Sequence, residues 1–449
     1  MSTLNFNRFW HPYSVRSLLL LLTILSFALF ADQTDRPLPA NLTPEELLRL
    51  DEIGCGKTVT PPPPGDFFLP AEYDQADGVI LSWDSYYASL LIQLIAAVTQ
   101  TDTAYIVVSG ASEQNSVHVQ LSGTAADLSK VKYFHKNLNS VWIRDYGPWW
   151  GLDENGQRFI LDFIYNRPRP LDDQFPEWLA GQIGVNYYSP NLVHAGGNFM
   201  VDGHGMGFMS SLVLNENSSL SPAAVRQIFR EYAGLDSVVI LTPMQYDGTG
   251  HIDMFCKLLN DSTVIVGEYT SQSAGAGQNY SILNQNAALL AGLHNLAGRP
   301  FHVHRILMPP YSNGITYTYT NSLIVNRLVL VPVYGFTTDG NALALYQQLM
   351  PEYTVLGFNC NQIIGANGAI HCITKLMMSS QPVDPVIIGD LNGDQRLNVQ
   401  DIIIMVNIIL GRIELTADYL YRGDLNGDQN ITVHDIVMLV NILLDGKDE

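Results

Sequence analysis

Residues 141–150 read VWIRDYGPWW: three tryptophans surround the single carboxylate of Asp145, and Gly147-Pro148 interrupts the segment. This composition predicts an aromatic pocket with one acid at its mouth. A surface turn with an Arg144–Asp145 ion pair fits the same ten residues. The prediction of a pocket therefore depends on further residues elsewhere in the chain.

Two segments downstream supply a histidine and a second acid. Residues 194–198 read HAGGN, and residues 248–253 read GTGHID. Residues two apart in an extended segment project to the same face, so we expect His251 and Asp253 to face one cavity while Ile252 faces the core. A lone His-x-Asp is also common as a structural pair or as half of a metal site.

A fourth segment, residues 365–374, reads GANGAIHCIT and makes a glycine-rich approach to Cys372. The chain has four cysteines, which are too few for a disulfide scaffold at this length and leave room for one reactive thiol. Cys256 lies in the apolar run 254–259 and is expected in the core. Cys360 is the rival candidate nucleophile.

Composition and charge limit the classes of function that this chain can have. The chain has 449 residues, of which 47% are hydrophobic and 15% charged, enough apolar material for a large core. Lys and Arg number 23 against 43 Asp and Glu, a formal net charge of −20. An acidic chain without a basic block lacks the electrostatic footprint of a nucleic-acid-binding protein, so we expect no nucleic-acid partner.

Short β-rich runs alternate with helical stretches from residue 67 to residue 380. The runs include 79–83, 206–214 and 322–334, and 88–99 is a helical stretch between two of them. The alternation predicts one large α/β domain over residues 67–380.

The amino terminus predicts export. Residues 1–16 carry two arginines and no acid, and the apolar run 17–30 is shorter than the roughly 20 residues of a membrane-spanning helix. We expect a signal peptide over residues 1–31, a secreted or cell-surface-associated protein, and no membrane contact after cleavage. An uncleaved tether is the alternative. Residues 32–66 then form an arm whose four prolines, 61–64, make a stiff linker.

A duplication ends the chain. After a linker over residues 381–387, GDLNGDQRLNVQDIIIMVNIIL starts at Gly389 and GDLNGDQNITVHDIVMLVNILL at Gly423. Each copy reads as a twelve-residue loop with oxygen ligands at alternate positions and a closing carboxylate, the EF-hand solution for Ca²⁺. The predicted ligands of two Ca²⁺ ions are Asp390, Asn392, Asp394, the carbonyl of Arg396, Asn398 and Asp401 in the first loop, and Asp424, Asn426, Asp428, the carbonyl of Asn430, Thr432 and Asp435 in the second.

Residues 388–449 resemble type I dockerin, the calcium-dependent module by which secreted bacterial enzymes attach to cohesins. The resemblance implies a small all-α, EF-hand-like domain and a cohesin-type partner. Gln395 and Gln429 occupy the loop position where glycine is usual. A left-handed conformation there costs on the order of 1 kcal/mol, which lowers calcium affinity without abolishing binding. A calcium-stabilised appendage without a partner is the alternative.

The four segments of the large domain together resemble the agmatine deiminase and Porphyromonas-type peptidylarginine deiminase family. Its markers WxRDxGP, GGN, GHxD and HC-I-T occur in that order. The resemblance implies a five-bladed α/β propeller, the pentein fold, with five ββαβ-like units around a central pocket. It also implies an active site without a metal or redox cofactor.

The resemblance assigns roles to five residues. A guanidinium is a planar permanent cation that matches carboxylates, and the family pattern makes Asp145 and Asp253 the pair that grips it. Trp142 would pack against the substrate's stem. Cys372 would attack the guanidinium carbon as thiolate, its pKa lowered by the cationic substrate or by protonated His251. His251 would protonate the departing amine and then activate the water that cleaves the thiouronium adduct.

Residues 162–170, DFIYNRPRP, indicate the substrate. Pro168 and Pro170 bias Arg167 and Arg169 toward extended conformations, so the two guanidinium groups are expected to form an arginine fork. Such a fork would repel the amine of agmatine and hold the α-carboxylate of a C-terminal arginine. This Arg-Pro-Arg resembles the secreted peptidylarginine deiminase. A surface salt-bridge network is the alternative.

Asn321, Asn198 and Tyr246 are expected at the pocket by a looser resemblance. The sequence as a whole predicts a secreted hydrolase that converts peptidyl arginine, C-terminal in particular, to citrulline with release of ammonia. Three alternatives remain: deimination of agmatine or free arginine, a non-catalytic scaffold component that binds arginine-bearing tails, and a Cys-His peptidase, in which the tryptophan–carboxylate segment has no role.

Overall fold

The computed structural model describes residues 36–271, 277–380, 387–392 and 396–445. The predicted signal peptide, most of the 381–387 linker and the predicted ligand Asp394 lie outside these ranges. No helix within the described ranges is long and apolar enough to cross a membrane.

The described strands form five sheets of three or four strands each. They are β1 Phe67–Phe68, β2 Ala76–Ser82, β3 Thr103–Val108, β4 Val131–His135, β5 Trp149–Asp153, β6 Arg158–Leu161, β7 Asn186–Tyr188, β8 Met200–Val201, β9 Met206–Ser210, β10 Ser237–Leu241, β11 Cys256–Leu258, β12 Thr263–Glu268, β13 His302–Leu307, β14 Leu323–Val325, β15 Leu328–Val333, β16 Thr354–Asn359 and β17 Thr374–Met378.

Helices connect the strands and build the carboxyl-terminal domain. They are α1 Ala88–Val98, α2 Ala111–Ser122, α3 Ile143–Tyr146, α4 Pro170–Asp173, α5 Phe175–Ile183, α6 Leu212–Glu216, α7 Pro222–Ala233, α8 Asn279–Ala291, α9 Asp339–Leu349, α10 Val399–Ile409, α11 Ala417–Gly423 and α12 Val433–Asp445.

One local pattern recurs in the sheets. An antiparallel pair is followed by a parallel third strand in β5-β6-β7, β8-β9-β10, β11-β12-β13 and β14-β15-β16. A parallel neighbour requires a crossover connection, and α5, α7, α8 and α9 supply it in the four sheets. The fifth sheet joins the ends of the domain, because β17 pairs antiparallel with β2, which pairs parallel with β3.

Helix α7 illustrates how local sequence sets these connections. The Ser221 side chain accepts a hydrogen bond from the Ala224 N–H, Pro222 occupies the first turn, and Gly234 ends the helix in a left-handed conformation. Val225 and Phe229, four residues apart, share the buried face.

Two predicted strands are interrupted in the structure. In 206–214, β9 ends at Ser210, whose hydroxyl accepts a hydrogen bond from the Leu212 N–H and starts α6. In 322–334, a left-handed Asn326 (φ 48°) makes a hairpin turn between β14 and β15. Asparagine tolerates this conformation better than most residues, which explains why the chain turns there.

The polar arm packs on the large domain rather than hanging free. Pro39–Glu449 forms one compact unit. The arm contains two 3₁₀ turns, Glu46–Leu48 and Leu50–Glu52. Thr60 exchanges hydrogen bonds with Ser189 beside β7.

The carboxyl-terminal domain has its own small core. Helices α10 and α12 enclose Met405 and Leu439, both 0% exposed, together with Leu391 and Leu425 from the two loops. The packed helices agree with the small all-α domain that the resemblance to dockerin implies.

Candidate active site

The four predicted catalytic residues meet at one buried point. Asp145 lies on the short helix α3, His251 and Asp253 bracket the start of a 3₁₀ turn at Ile252–Met254, and Cys372 lies in another at His371–Ile373. Asp145 is 4% exposed and the other three are 0% exposed. The expectation of one extended segment for His251 and Asp253 was wrong, since Asp253 is in the turn.

Gly197 marks the centre of the cluster. A methyl group on Gly197 would lie 2.7 Å from Asp145 Oδ1, 2.7 Å from His251 Nδ1 and 3.2 Å from Asp253 Oδ2. The Gly197 N–H donates to Asp145 Oδ1 at 3.1 Å. Glycine is required here because any side chain would fill the space between the two carboxylates and the imidazole.

Cys372 faces the second carboxylate. Its Sγ lies 3.8 Å from Asp253 Oδ2 and accepts a hydrogen bond from Asn321 Nδ2 at 3.1 Å. Asn321 Oδ1 in turn accepts from the backbone N–H groups of Ala369 and Cys372. Asn321, expected at the pocket by the looser resemblance, thus contacts the Cys372 thiol.

The other residues predicted at the pocket differ in their surroundings. Trp142 is fully buried beside Gly368, where an added methyl group would clash with the indole ring and lie 3.1 Å from Cys372 Sγ. Asn198 Oδ1 accepts hydrogen bonds from the Ser210 and Ile252 N–H groups and so positions the turn that follows His251. Tyr246 lies outside the buried cluster, with a ring that is 59% exposed.

The rival thiol has a different environment. Cys360 follows β16, is 0% exposed and belongs to the hydrophobic core. Burial raises the pKa of Cys360, and no carboxylate contributes to the shift.

Burial sets the resting protonation of the cluster. It raises the pKa of the Cys372 thiol well above its usual range, and the charges of Asp253 and Asp145 add to the effect. Burial, followed by the charge of Arg167, lowers the pKa of His251. Without a ligand, the site therefore holds a protonated Cys372 thiol and a neutral His251 imidazole. A bound cation would favour the thiolate form of Cys372.

The two carboxylates differ in their surroundings. Burial raises the pKa of Asp145 to about 6, against the opposing charge of Arg167 and the hydrogen bond from Gly197. Burial and the neighbouring Asp145 raise the pKa of Asp253 well above its usual range.

A chain of charged groups behind Asp253 was not predicted from the sequence. His371 Nδ1 lies 2.7 Å from Asp253 Oδ2, and its Nε2 lies 2.6 Å from Glu72 Oε2. Glu72 also pairs with Lys257 and, at 3.1 Å, with Arg144. The position of His371 next to Cys372 in the sequence could have indicated its place in the site. Glu72 lies 299 positions from His371, and no sequence pattern indicates it.

The pKa shifts in this chain of groups favour one arrangement of protons. Burial would raise the pKa of Glu72, but Lys257, His371 and Arg144 hold it well below its usual range. Burial lowers the pKa of His371, with Arg144 and Lys257 adding to the shift. A neutral His371 donates from Nε2 to the Glu72 carboxylate, and its Nδ1 accepts from a protonated Asp253.

The predicted arginine fork is buried and occupied by the chain itself. Arg169 is 1% exposed, and its Nε and Nη2 donate to the two oxygens of Glu46 at 2.7 and 3.1 Å. Arg167 is 5% exposed and its Nε donates to the Ala40 carbonyl at 2.9 Å. A surface salt-bridge network is thereby ruled out.

Comparison with known proteins gives the class to which this fold and site belong. The model of the Porphyromonas-type peptidyl-arginine deiminase family matches residues 68–377, and that of the type I dockerin domain matches residues 388–446. The chain belongs to the Porphyromonas-type peptidyl-arginine deiminase family, hydrolases acting on amidino groups, and carries a carboxyl-terminal dockerin domain.

Individual relatives carry the agmatine deiminase name. The agmatine deiminase of Ectopseudomonas mendocina is 24% identical over 373 residues, covering 72% of this chain and 99% of that protein. The solved agmatine deiminases of Enterococcus faecalis and C. jejuni superpose with TM-scores of 0.62 and 0.60, at 22% and 19% identity, over 70% of this chain and 96% of each. These structures show that the large domain has the α/β fold of the pentein deiminases.

The second predicted calcium loop presents oxygen donors of the kind that Ca²⁺ prefers. Asp435 is 0% exposed, and its Oδ1 accepts from the Leu425 and Asn426 N–H groups. Gln429 is left-handed (φ 65°), as its loop position predicted. No group of three or more His, Cys, Asp or Glu able to hold a metal occurs among the described residues, so the fit rests on carboxylate, amide and carbonyl oxygens together.

In the first loop, Asp401 repeats this arrangement. It is 0% exposed, and its Oδ1 accepts from the Leu391 and Asn392 N–H groups. Asn398 caps α10 in a reciprocal pair with Asp401.

Proposed function

We propose that this protein hydrolyses the guanidino group of a C-terminal arginine in a peptide or protein to citrulline and ammonia. The single observation that carries the proposal is the Cys372 sulfur 3.8 Å from Asp253, inside a buried cluster that also holds Asp145 and His251. Two carboxylates, a thiol and an imidazole are the groups that attack on a bound guanidinium requires.

Substrate binding starts the reaction. The guanidinium nitrogens donate to Asp145 and Asp253, and Trp142 packs against the aliphatic stem. Asp253 must ionise to grip the cation, and its proton passes to His371 Nδ1, 2.7 Å away. The imidazolium then lies between two carboxylates, Asp253 and Glu72, which stabilise its charge.

The chemical steps use Cys372 and His251. The thiol proton moves to His251, and the Sγ–C bond forms at the guanidinium carbon. His251 returns that proton to the departing nitrogen, the C–N bond breaks and ammonia leaves a thiouronium adduct. His251 next takes a proton from water, and the hydroxide attacks the same carbon. The C–S bond breaks, His251 returns its proton to the thiolate, and the proton of the adduct's hydroxyl group goes to the released ammonia, so the products are a neutral ureido group and ammonium.

The arginine fork supports a carboxylate-terminated substrate. Arg169 already binds a carboxylate through two parallel hydrogen bonds, those to Glu46, and Arg167 is close enough to lower the pKa of both Asp145 and His251. A fork of this geometry favours carboxylates over amines.

Agmatine is the second candidate substrate. The relatives named above are agmatine deiminases, and Glu46 offsets part of the fork's positive charge that would otherwise repel an amine. The two candidates share every catalytic step and differ only in the tail of the substrate.

The remaining organisation is part of the same proposal. The five sheets are taken as the blades of a propeller around the site, with the catalytic domain at 67–380 and the dockerin domain at 388–449. The predicted signal peptide favours secretion. The two loops of the dockerin domain are proposed to bind Ca²⁺, and the domain is proposed to bind a cohesin-type partner.

A substrate panel tests the proposal. The mature protein is incubated with a peptide ending in arginine, the same peptide amidated, and agmatine, and ureido product and ammonia are measured. We expect turnover of guanidino substrates, its loss in Cys372→Ser, and its retention in the matched buried-thiol control Cys360→Ser. Turnover of none would refute the enzymatic assignment, and turnover of agmatine alone would refute the peptide substrate.

A further inference from the structure

Residues 39–46, the arm segment, occupy the place that the proposed function reserves for the substrate's carboxylate. Besides the two bonds to Glu46, Arg169 Nη2 donates to the Pro39 carbonyl at 2.7 Å and to the Asn41 carbonyl at 3.3 Å. All the acceptors of these bonds belong to the chain's own arm segment.

The arm segment also contacts the loop that leads to the nucleophile. The Ala40 N–H donates to the Ala366 carbonyl at 2.8 Å, and Asn367 Nδ2 donates to Asn41 Oδ1 at 2.6 Å. Ala40 is 0% exposed. The segment therefore connects the arginine fork to the glycine-rich approach to Cys372 and covers both.

Local structure holds Glu46 in this position. The Thr43 N–H donates to Glu46 Oε2, and the Glu46 N–H donates to Thr43 Oγ1, a reciprocal cap. Further along, Lys57 pairs with Asp162 and Asp173, so the arm is fixed on both sides of residue 46. A tethered carboxylate has a high effective concentration at the fork, which a free peptide must overcome.

We propose that Glu46 is a specificity-determining residue that occupies the carboxylate subsite and competes there with the terminal carboxylate of the substrate, so that displacement of the arm segment strengthens the binding of carboxylate-terminated substrates. The inference rests on the proposed deiminase function and refines it. In the intact chain Glu46 offsets the charge of Arg169 and so weakens the preference for a terminal carboxylate. Release of the arm segment exposes both arginines and strengthens that preference.

The test compares Glu46→Gln with its exposed neighbour, Glu45→Gln. Glutamine keeps the length of the side chain but removes the charge that pairs with Arg169. For each variant, kcat/KM is measured on the arginine-terminated peptide, the amidated peptide and agmatine. We expect Glu46→Gln to raise the ratio of free-acid to amidated peptide at least tenfold and to lower turnover of agmatine, while Glu45→Gln matches the wild type.

A second variant and a binding measurement keep the test decisive if Glu46→Gln folds poorly. Thr43→Val loosens the cap on Glu46 without removing its charge, and it should raise the same ratio to a smaller extent. In a Cys372→Ser background, calorimetry should show that Glu46→Gln binds the free-acid peptide more tightly than the amide.

The outcomes separate the two proposals. An unchanged ratio in folded, active Glu46→Gln, or an equal rise for all three substrates, would overturn the role of Glu46 and leave the deiminase assignment intact. Absence of turnover in every variant, with no selective binding of the free acid, would overturn both.

Discussion

The Cys372 sulfur and the Asp253 carboxylate lie 3.8 Å apart although 119 positions separate the two residues in the chain. Asn321 fixes the sulfur, and His371 fixes the carboxylate. The pair is thus held from both sides before any substrate is present, which favours catalysis because little reorganisation remains to be done.

Activity should rise with pH through about 6. Burial raises the pKa of Asp145 to about 6, and only the ionised form can accept hydrogen bonds from both nitrogens of a guanidinium. The kcat/KM profile of the free enzyme reports such a group, so it should show an acidic limb near pH 6. A profile that is flat between pH 5 and 7 would contradict this assignment.

Replacing Asp145 with asparagine should stabilise the fold at pH 8 but not at pH 4. The folded pKa of about 6 exceeds the usual value of 3.8, so ionisation costs stability as pH rises between them, and the full cost is present above 6. The difference corresponds to on the order of 2–3 kcal/mol. Thermal unfolding of Asp145→Asn measures it, and the exposed Asp51→Asn serves as the control.

His371 should keep the proton of Asp253 inside the protein. At pH 8, binding of a guanidino ligand to Cys372→Ser should release almost no proton to the buffer, because His371 accepts it. With His371→Asn added, about one proton should be released. Calorimetry in two buffers of different ionisation enthalpy measures the difference, and a proton already released without His371→Asn would refute the transfer.

Lys57 should contribute strongly to the stability of the docked arm. Its ammonium lies 2.6 Å from Asp162 and 2.9 Å from Asp173, and its side chain is 4% exposed. Lys57→Met leaves two buried carboxylates without their cation, a loss of about 3–5 kcal/mol in the free energy of unfolding. Denaturant titration measures the loss, and Arg49→Met, in an exposed pair with Glu52, should leave the midpoint unchanged.

The dockerin domain should need calcium for its stability. Asp435→Ala removes the carboxylate that closes the second loop, so calcium should no longer raise the thermal midpoint of that domain. Circular dichroism with calcium and with a chelator measures the effect. His434→Ala, an exposed change one residue away, should respond to calcium as the wild type does; an equal loss in both variants would argue against a ligand role for Asp435.

Sequence patterns pointed to the four residues that cluster in the fold, Asp145, His251, Asp253 and Cys372, because each one carries a local pattern around it. Asp145 stands among tryptophans, and Cys372 follows a glycine-rich approach whose Gly368 makes room for Trp142. The prediction of an extended His251–Asp253 segment failed because hydrogen bonds from distant residues, such as that between Ile252 and Asn198, shape the turn.

The contacts that could not be predicted from the sequence are those between residues far apart in the chain. Glu72 meets Lys257 185 positions away, and neither residue stands in a distinctive pattern. Glu46 lies in a polar stretch that reads as a linker, and only the fold brings it to Arg169. The fork itself was predicted from Arg-Pro-Arg, but its occupant depends on where the arm docks.

The covalent adduct on Cys372 provides the most direct measurement of the central claim. The protein is mixed with an arginine-terminated peptide or agmatine, quenched with acid during turnover, digested and analysed by mass spectrometry. We predict that the peptide containing Cys372 gains the mass of the substrate less ammonia. Formation of the ureido product with Cys372 unmodified throughout, and with the adduct on Cys360 instead, would contradict the account.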